Sequence, residues 1–278
     1  MLHFNFRFRK FCAIKGETLR IKHNSGLFSN CSISVYGIVS YFNQYKRLPA
    51  RVDFTGTFKN FSSGEQQEAY KSYFKPQSQI DITYKDKVRF PAISLFDYKS
   101  EAFDQLTPFV NRYFSPSDAV MLKVDALIER YNIIPQSTIA VCYRGTDKHR
   151  DTGLASFEDF ITQAQSIKQR FPDHRMLIQT DQAQFWETAA QVFSDAFRFE
   201  ETPFTATDKV MHDIIKEEDK KEWTQWFIAA VIVISRCAYV VNHTGNVARW
   251  ICLYRKGAHN MSQYFRKRDA PRSGDYWI

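Results

Sequence analysis

The run Ile139-Ala140-Val141-Cys142-Tyr143-Arg144-Gly145-Thr146-Asp147-Lys148 sets an arginine, a glycine and an acid–base pair directly after a short apolar segment. An apolar run that ends in charge reads as a buried strand. Such a strand delivers Arg144, Asp147 and Lys148 to the carboxyl edge of a sheet, where open α/β sheets bind their ligands. A guanidinium held there can grip a phosphate through two parallel hydrogen bonds. The same residues also fit a solvated turn with an Asp–Lys pair. Thr180-Asp181 follows the run Met176-Leu177-Ile178-Gln179 in the same way. Its carboxylate can accept hydrogen bonds from a base or ribose, or it can cap a helix. Asn242-His243-Thr244-Gly245-Asn246 follows Tyr239-Val240-Val241 and opens a helix. Free N–H groups at a helix start form an anion site; the alternative is a capped helix start around a structural His243. The turn from Ser25 to Asn30 contains Gly26, which admits close backbone approach, and is otherwise an ordinary strand-to-helix turn.

The elements that position these groups alternate. Thr18 to Lys22 is predicted as a strand, Cys31 to Tyr45 as a helix and Arg51 to Thr55 as the next strand, the first unit of a Rossmann-like half. Helix is expected over Glu65–Phe74 and again from Ser100 to Tyr131, with Ser115 as a cap and Pro116 in the first turn. Gln79 to Tyr84 alternates as a strand would. Asn132 to Ser137, with Pro135, is the expected boundary between residues 1–134 and 135–278. Beyond it come strands at 138–143, 175–179, 197–200 and 238–242, with helices at 156–170, 182–193, 221–236 and 246–254. The N-terminal MLHFNFRFRKF alternates apolar and basic residues and is expected as an edge strand, and the tail after Tyr254 shows no period. The fold class is therefore α/β, with two Rossmann-like halves facing a central cleft.

Composition narrows the partners. The chain has 278 residues, is 44% hydrophobic and 24% charged, and carries a net charge of +8 with 25 Phe and 14 Tyr. The charge favours anionic ligands, and the aromatics serve a core or stack on sugars or bases. No helix-turn-helix or RNP-type pattern accompanies the basic residues, which argues against a nucleic-acid partner. The cysteines (Cys12, Cys31, Cys142, Cys237 and Cys252) are widely spaced and read as buried, reduced thiols. No signal-peptide core and no apolar run of about 18 residues is present, so a soluble, cytoplasmic protein without a transmembrane segment is expected. His149, His212 and His243 fit no metal-ligand spacing, and neither a DxD nor an HExxH pattern occurs.

Taken together, these motifs resemble the fucosyltransferase superfamily that includes α1,6-fucosyltransferases, the rhizobial nodulation fucosyltransferase and protein O-fucosyltransferases. The resemblance rests on Arg144-Gly145-Thr146-Asp147-Lys148, on Thr180-Asp181 and on Thr244-Gly245-Asn246-Val247-Ala248-Arg249, within roughly residues 136–256. The turn Gly26-Leu27-Phe28-Ser29-Asn30 is similar, more weakly, to the family's Gly-rich turn. The family's double arginine stands here as Arg144-Gly145, its Ser-Ser as Thr244-Gly245, and an acidic residue of the preceding helix is replaced near Ala229-Ala230.

The resemblance implies a GT-B-like fold and inverting transfer from a nucleotide-sugar donor to a glycan hydroxyl, with no metal or other cofactor. Arg144 would neutralise the donor diphosphate, Asp181 would contact the nucleoside, and Thr244 and Gly245 would lie near the diphosphate. Gly26, Phe28, Asn30, Asp147, Lys148, Thr180, His243 and Asn246 complete the expected donor site. Asp151 is the expected general base for the acceptor hydroxyl. GDP-fucose is the implied donor, with UDP-xylose or another small sugar allowed by the departures. A non-catalytic nucleotide- or glycan-binding module on the same fold is the alternative.

Overall fold

The computed structural model describes residues 6–62, 69–92, 97–146, 152–207, 211–267 and 276–278. In the first half these form α1 (Phe6–Phe11), β1 (Cys12–Lys15), β2 (Thr18–Ile21), α2 (Leu27–Tyr45), β3 (Arg51–Asp53), α3 (Ala69–Tyr73), α4 (Phe103–Phe114) and α5 (Asp118–Arg130). The second half holds β4 (Thr138–Tyr143), α6 (Phe157–Arg170), β5 (Arg175–Thr180), α7 (Ala183–Val192), β6 (Ala196–Phe197), α8 (Met211–Ile214), α9 (Lys220–Arg236), β7 (Tyr239–His243), α10 (Asn246–Arg255) and β8 (Met261–Tyr264).

Two sheets result. β1 and β2 form an antiparallel hairpin turning at Gly16, whose φ of 58° suits glycine, and β3 adds in parallel beyond the α2 crossover. The larger sheet is parallel, in the order β6-β5-β4-β7-β8. Its strands alternate as buried strands must. Ala140, Cys142, Leu177 and Val240 join one core with α2, α4, α9 and α10; Ile139, Val141, Met176, Ile178 and Val241 join another with α6 and α7. The chain starts this sheet at its centre with β4, runs outward through β5 and β6, then returns past β4 to lay down β7 and β8. The order reverses between β4 and β7, and the carboxyl ends of those two strands flank the crevice in which such sheets bind ligands.

Several sequence expectations are corrected. The described part of the N-terminus is helical. Phe8 is buried and Phe11 half-buried three positions on, while Phe6 stays 82% exposed, so i,i+3 spacing wins over alternation. Residues 79–84 form no strand, because the Arg112 guanidinium donates to the carbonyls of Ser78 and Ile80. The helical stretch 100–131 is two helices, and the second is capped by Ser117, whose Oγ accepts from Val120 N, rather than by Ser115. The strand expected over 197–200 is Ala196–Phe197. The tail contains β8, a strand with no apolar signature. The capping box at Ser156 and Asp159 is present as expected. All five cysteines are buried and free.

Candidate functional site

A cleft of about 650 Å³ opens at the β4–β7 crevice. Its first-half wall is the turn before α2 (Asn24 to Gly26) and the start of that helix (Leu27 to Ser29), with Asn60 and Phe61. The second-half wall is the carboxyl edge of β4 and β5, the start of α10, and one stripe of α9 at Trp223, Phe227, Ala230, Val231 and Ile234. Those α9 spacings place the five residues on a single helical face.

Arg144 leaves the end of β4, half-exposed, and donates from Nε to Asp181 Oδ2 at 3.1 Å. Asp181 also accepts from Gly145 N at 3.0 Å and from Thr146 Oγ1 at 2.9 Å. One carboxylate thus closes the whole β4 exit around Arg144. This places Asp181 differently from a helix cap: α7 begins after Gln182 with no side-chain cap. Thr180 Oγ1 accepts from Gln182 N at 3.1 Å, which fixes the turn between β5 and α7. Gly145 carries no side chain for a physical reason: a Cβ there would stand 1.8 Å from Gln182 Oε1 and 2.9 Å from the Tyr143 ring.

Across the crevice, Asn246 and Val247 begin α10 and line the cleft. The first intrahelical bond there is Arg249 N to Gly245 O, at 3.0 Å. The N–H groups of Asn246, Val247 and Ala248 therefore precede the helical ladder and carry its positive end. Gly245 precedes these groups as the N-cap residue of α10. Its N–H donates to Tyr98 Oη at 2.8 Å and its carbonyl accepts from that hydroxyl at 2.7 Å, so its backbone is engaged by the protein. Burial pushes the Tyr98 phenol well above its ordinary pKa, outweighing the opposite pull of the Gly245 N–H bond, which keeps the donated proton in place. Thr244 Oγ1 donates to Tyr264 O and accepts from Gln263 Nε2, fully buried. His243 packs its ring on Phe160 at 4.6 Å and against Tyr143 and Tyr264. It belongs to the aromatic core on the α6 side of the sheet.

Gly26 and Phe28 line the cleft. A Cβ on Gly26 would meet nothing within 4 Å, so the backbone faces open space. Asn30 turns away from the cleft: its amide accepts from Ser25 N at 2.8 Å and donates to Ser25 O at 3.2 Å, holding the turn closed. Asp147, Lys148 and Asp151 lie outside the described residues.

Other contributors had no signal in the sequence motifs. A strap from the first half crosses to α10. Besides Tyr98, its Glu101 pairs with Arg249, whose Nε lies 3.0 and 3.2 Å from the two carboxylate oxygens. Arg249 Nη1 donates to Pro91 O at 2.8 Å, and the guanidinium sits 3.6 Å over the Phe90 ring. On α9, Trp223 stacks on Phe227 with 6° between the rings, and on Phe61 with 13°. Asn242, the last inward-facing residue of β7, lies beneath the crevice. Unlike these, Asn242 stands in the sequence motif Asn242-His243-Thr244-Gly245-Asn246, which gave it no separate role.

The fold is a GT-B-like α/β fold. The chain is similar to the Bradyrhizobium fucosyltransferase NodZ (TM-score 0.57, 14% identity, 92% of this chain and 96% of that chain). It is also similar to NodZ α-1,6-fucosyltransferase co-crystallised with GDP (TM-score 0.56, 15% identity, 89% and 93%) and soaked with GDP-fucose (0.54, 16%, 89% and 94%). No family model and no curated protein matches the sequence. The resemblance read from the motifs is thus borne out at the level of fold. No helix among the described residues is long and apolar enough to cross a membrane, and no group of three metal-ligating side chains occurs among them.

Proposed function

We propose that the protein is a glycosyltransferase that moves a sugar from a nucleotide-sugar donor to a glycan hydroxyl, with residues 135–278 as the donor side and residues 1–134 as the acceptor side. The observation that carries this reading is Arg144, fixed by Asp181 at the β4–β7 crevice opposite the open first turn of α10. A guanidinium and helix N–H groups converging on one cleft suit a diphosphate leaving group. They stabilise charge that develops as the sugar departs, a contact whose loss costs about 3–4 kcal/mol in comparable sites. GDP-fucose is the first donor to test, since the similar NodZ structures come from co-crystallisation with GDP and from soaking with GDP-fucose. UDP-xylose is the second, since Gly145 departs from the family pattern. Inversion without a metal, with Asp151 as base, completes the proposal.

The experiment is a thermal-shift panel of GDP, UDP and their sugars, followed by donor hydrolysis and transfer. A bound donor raises the melting midpoint by mass action. Arg144→Ala is expected to weaken nucleotide binding and abolish turnover. If no donor is hydrolysed or transferred and Arg144→Ala leaves nucleotide affinity unchanged, the proposal fails. One observation favours the non-catalytic alternative: among the described lining residues the only carboxylate is Asp181, and three donors occupy it. Tight nucleotide binding with no turnover, unchanged by Asp151→Asn, would select that alternative.

A further inference from the structure

Asn242 is 1% exposed, and neither Nδ2 nor Oδ1 has a hydrogen-bond partner among the described residues. It stands in a row of side chains crossing the sheet in register: Gln179 on β5, Cys142 on β4, Asn242 on β7 and Gln263 on β8. The other two amides of that row are engaged, Gln179 with Thr202 and Gln263 with Thr244 and the Tyr98 N–H. Burying an amide without partners is costly, so such a group needs a reason to persist. Asn242 lines a side pocket of about 40 Å³, between the end of β4 and the first turn of α10. Cys142, Arg144, Asn246 and Val247 line both this pocket and the main cleft, which makes the pocket a recess of the cleft. The recess is large enough for one or two small polar groups and too small for a sugar or a base. Its wall combines the positive end of α10, which has ten residues, with the Arg144 end of β4.

We infer that Asn242 is a ligand-binding residue whose Nδ2 donates to a phosphoryl oxygen of the nucleotide diphosphate seated in this recess, with the first-turn N–H groups of α10 as its co-donors. The inference rests on the reading of the cleft as a nucleotide-sugar site. An amide suits the place and a carboxylate does not, because the ligand is an anion in a desolvated recess. Oδ1 then faces a bound water or a ligand hydroxyl.

The test uses the full chain and three proteins: wild type, Asn242→Leu and Asn242→Asp. Calorimetry reads GDP, and thermal shift at millimolar ligand reads guanosine. Asn242→Leu, nearly the same size and without polar atoms, is expected to weaken GDP by 10- to 100-fold while leaving the guanosine shift unchanged. Its ligand-free melting midpoint is expected to stay level or rise, since an unsatisfied amide has been removed. Asn242→Asp is expected to weaken GDP further at pH 8, with a loss that shrinks toward pH 5.5 as the introduced carboxylate takes up a proton. This variant reads the anion directly, even where the leucine variant fails to fold. GDP affinity within threefold of wild type in either variant at pH 8 overturns the inference, because the amide then serves only a water. An equal loss for guanosine and GDP overturns it too. A wild-type protein that binds neither ligand removes the nucleotide-site reading itself, a separate failure visible before any variant is made.

Discussion

Replacing Glu101 by Gln tests whether the strap holds α10 by charge. Glu101 and Arg249 have side chains 1% and 0% exposed, so the pair is shut off from water. Arg249 Nε addresses both carboxylate oxygens, at 3.0 and 3.2 Å, and Nη2 addresses Oε1 as well. Glutamine keeps one acceptor and turns the other position into an N–H that faces N–H. The guanidinium also loses its counter-charge while Pro91 O and the Phe90 ring remain its other partners. Breaking one side of a buried pair costs about 3–5 kcal/mol. Against a total stability of about 5–15 kcal/mol, that is roughly a fifth or more. At about 2–4 °C per kcal/mol for a chain somewhat shorter than this one, the melting midpoint should fall by roughly 6–20 °C. Thermal and urea unfolding measure it. The double variant Glu101→Leu with Arg249→Met should recover much of the loss, because buried pairs are often replaceable by apolar side chains. A Glu101→Gln midpoint within 2 °C of wild type would refute the reasoning, since an isolated guanidinium cannot be buried so cheaply.

Three further outcomes are expected. Asp181→Asn leaves an acceptor for Gly145 N but sets an NH₂ against Arg144 or Thr146; at about 1.5–3 kcal/mol per charged hydrogen bond, nucleotide affinity measured by calorimetry should drop at least tenfold with little change in fold by circular dichroism. Gly145→Ala should destabilise the protein because of the 1.8 Å approach to Gln182 Oε1, and adding Gln182→Ala should restore most of the midpoint; no rescue would place the clash elsewhere. Burial, with Lys10 second, holds the His23 pKa below its usual 6.5. The unfolded chain then binds the proton more readily, so stability is complete above about pH 6.5 and falls as the pH drops toward the folded value. Urea midpoints at pH 7.5 and 5.5 should differ less in His23→Gln than in wild type; His259, shifted the same way by burial and then Arg255, keeps part of the slope.

The site's strands were readable because each apolar run stops where a polar or charged group begins, at Arg144, Thr180-Asp181 and Asn242-His243. That pattern is dictated locally by burial up to the sheet edge and solvent or ligand beyond it. β8 left no such trace. Its Ser262 and Gln263 are buried, yet Gln163, Tyr239 and Thr244 satisfy them by hydrogen bonds, so the segment needs no apolar composition. The strap was invisible for another reason. Tyr98 meets Gly245 across 147 positions and Glu101 meets Arg249 across 148, and no local spacing encodes such a contact. Likewise the bonds by which the Asn30 side-chain amide closes its turn onto Ser25 follow from the folded geometry and left no mark in the sequence.

The core on the α9–α10 side of the large sheet also contains α2, α4 and α5 of the first half, so the two sheets share one apolar interior. Swinging the halves apart would bring that interior into water, at about 25 cal/mol per Å². Exposing even 400 Å² would cost roughly 10 kcal/mol by that measure, comparable to unfolding the chain. A ligand of the cleft would on this reckoning enter and leave by movement of the rim rather than by hinge opening. A backbone cut between Ile134 and Pro135 should yield two pieces that are insoluble apart and regain structure when mixed, each supplying the other's missing half of the interior.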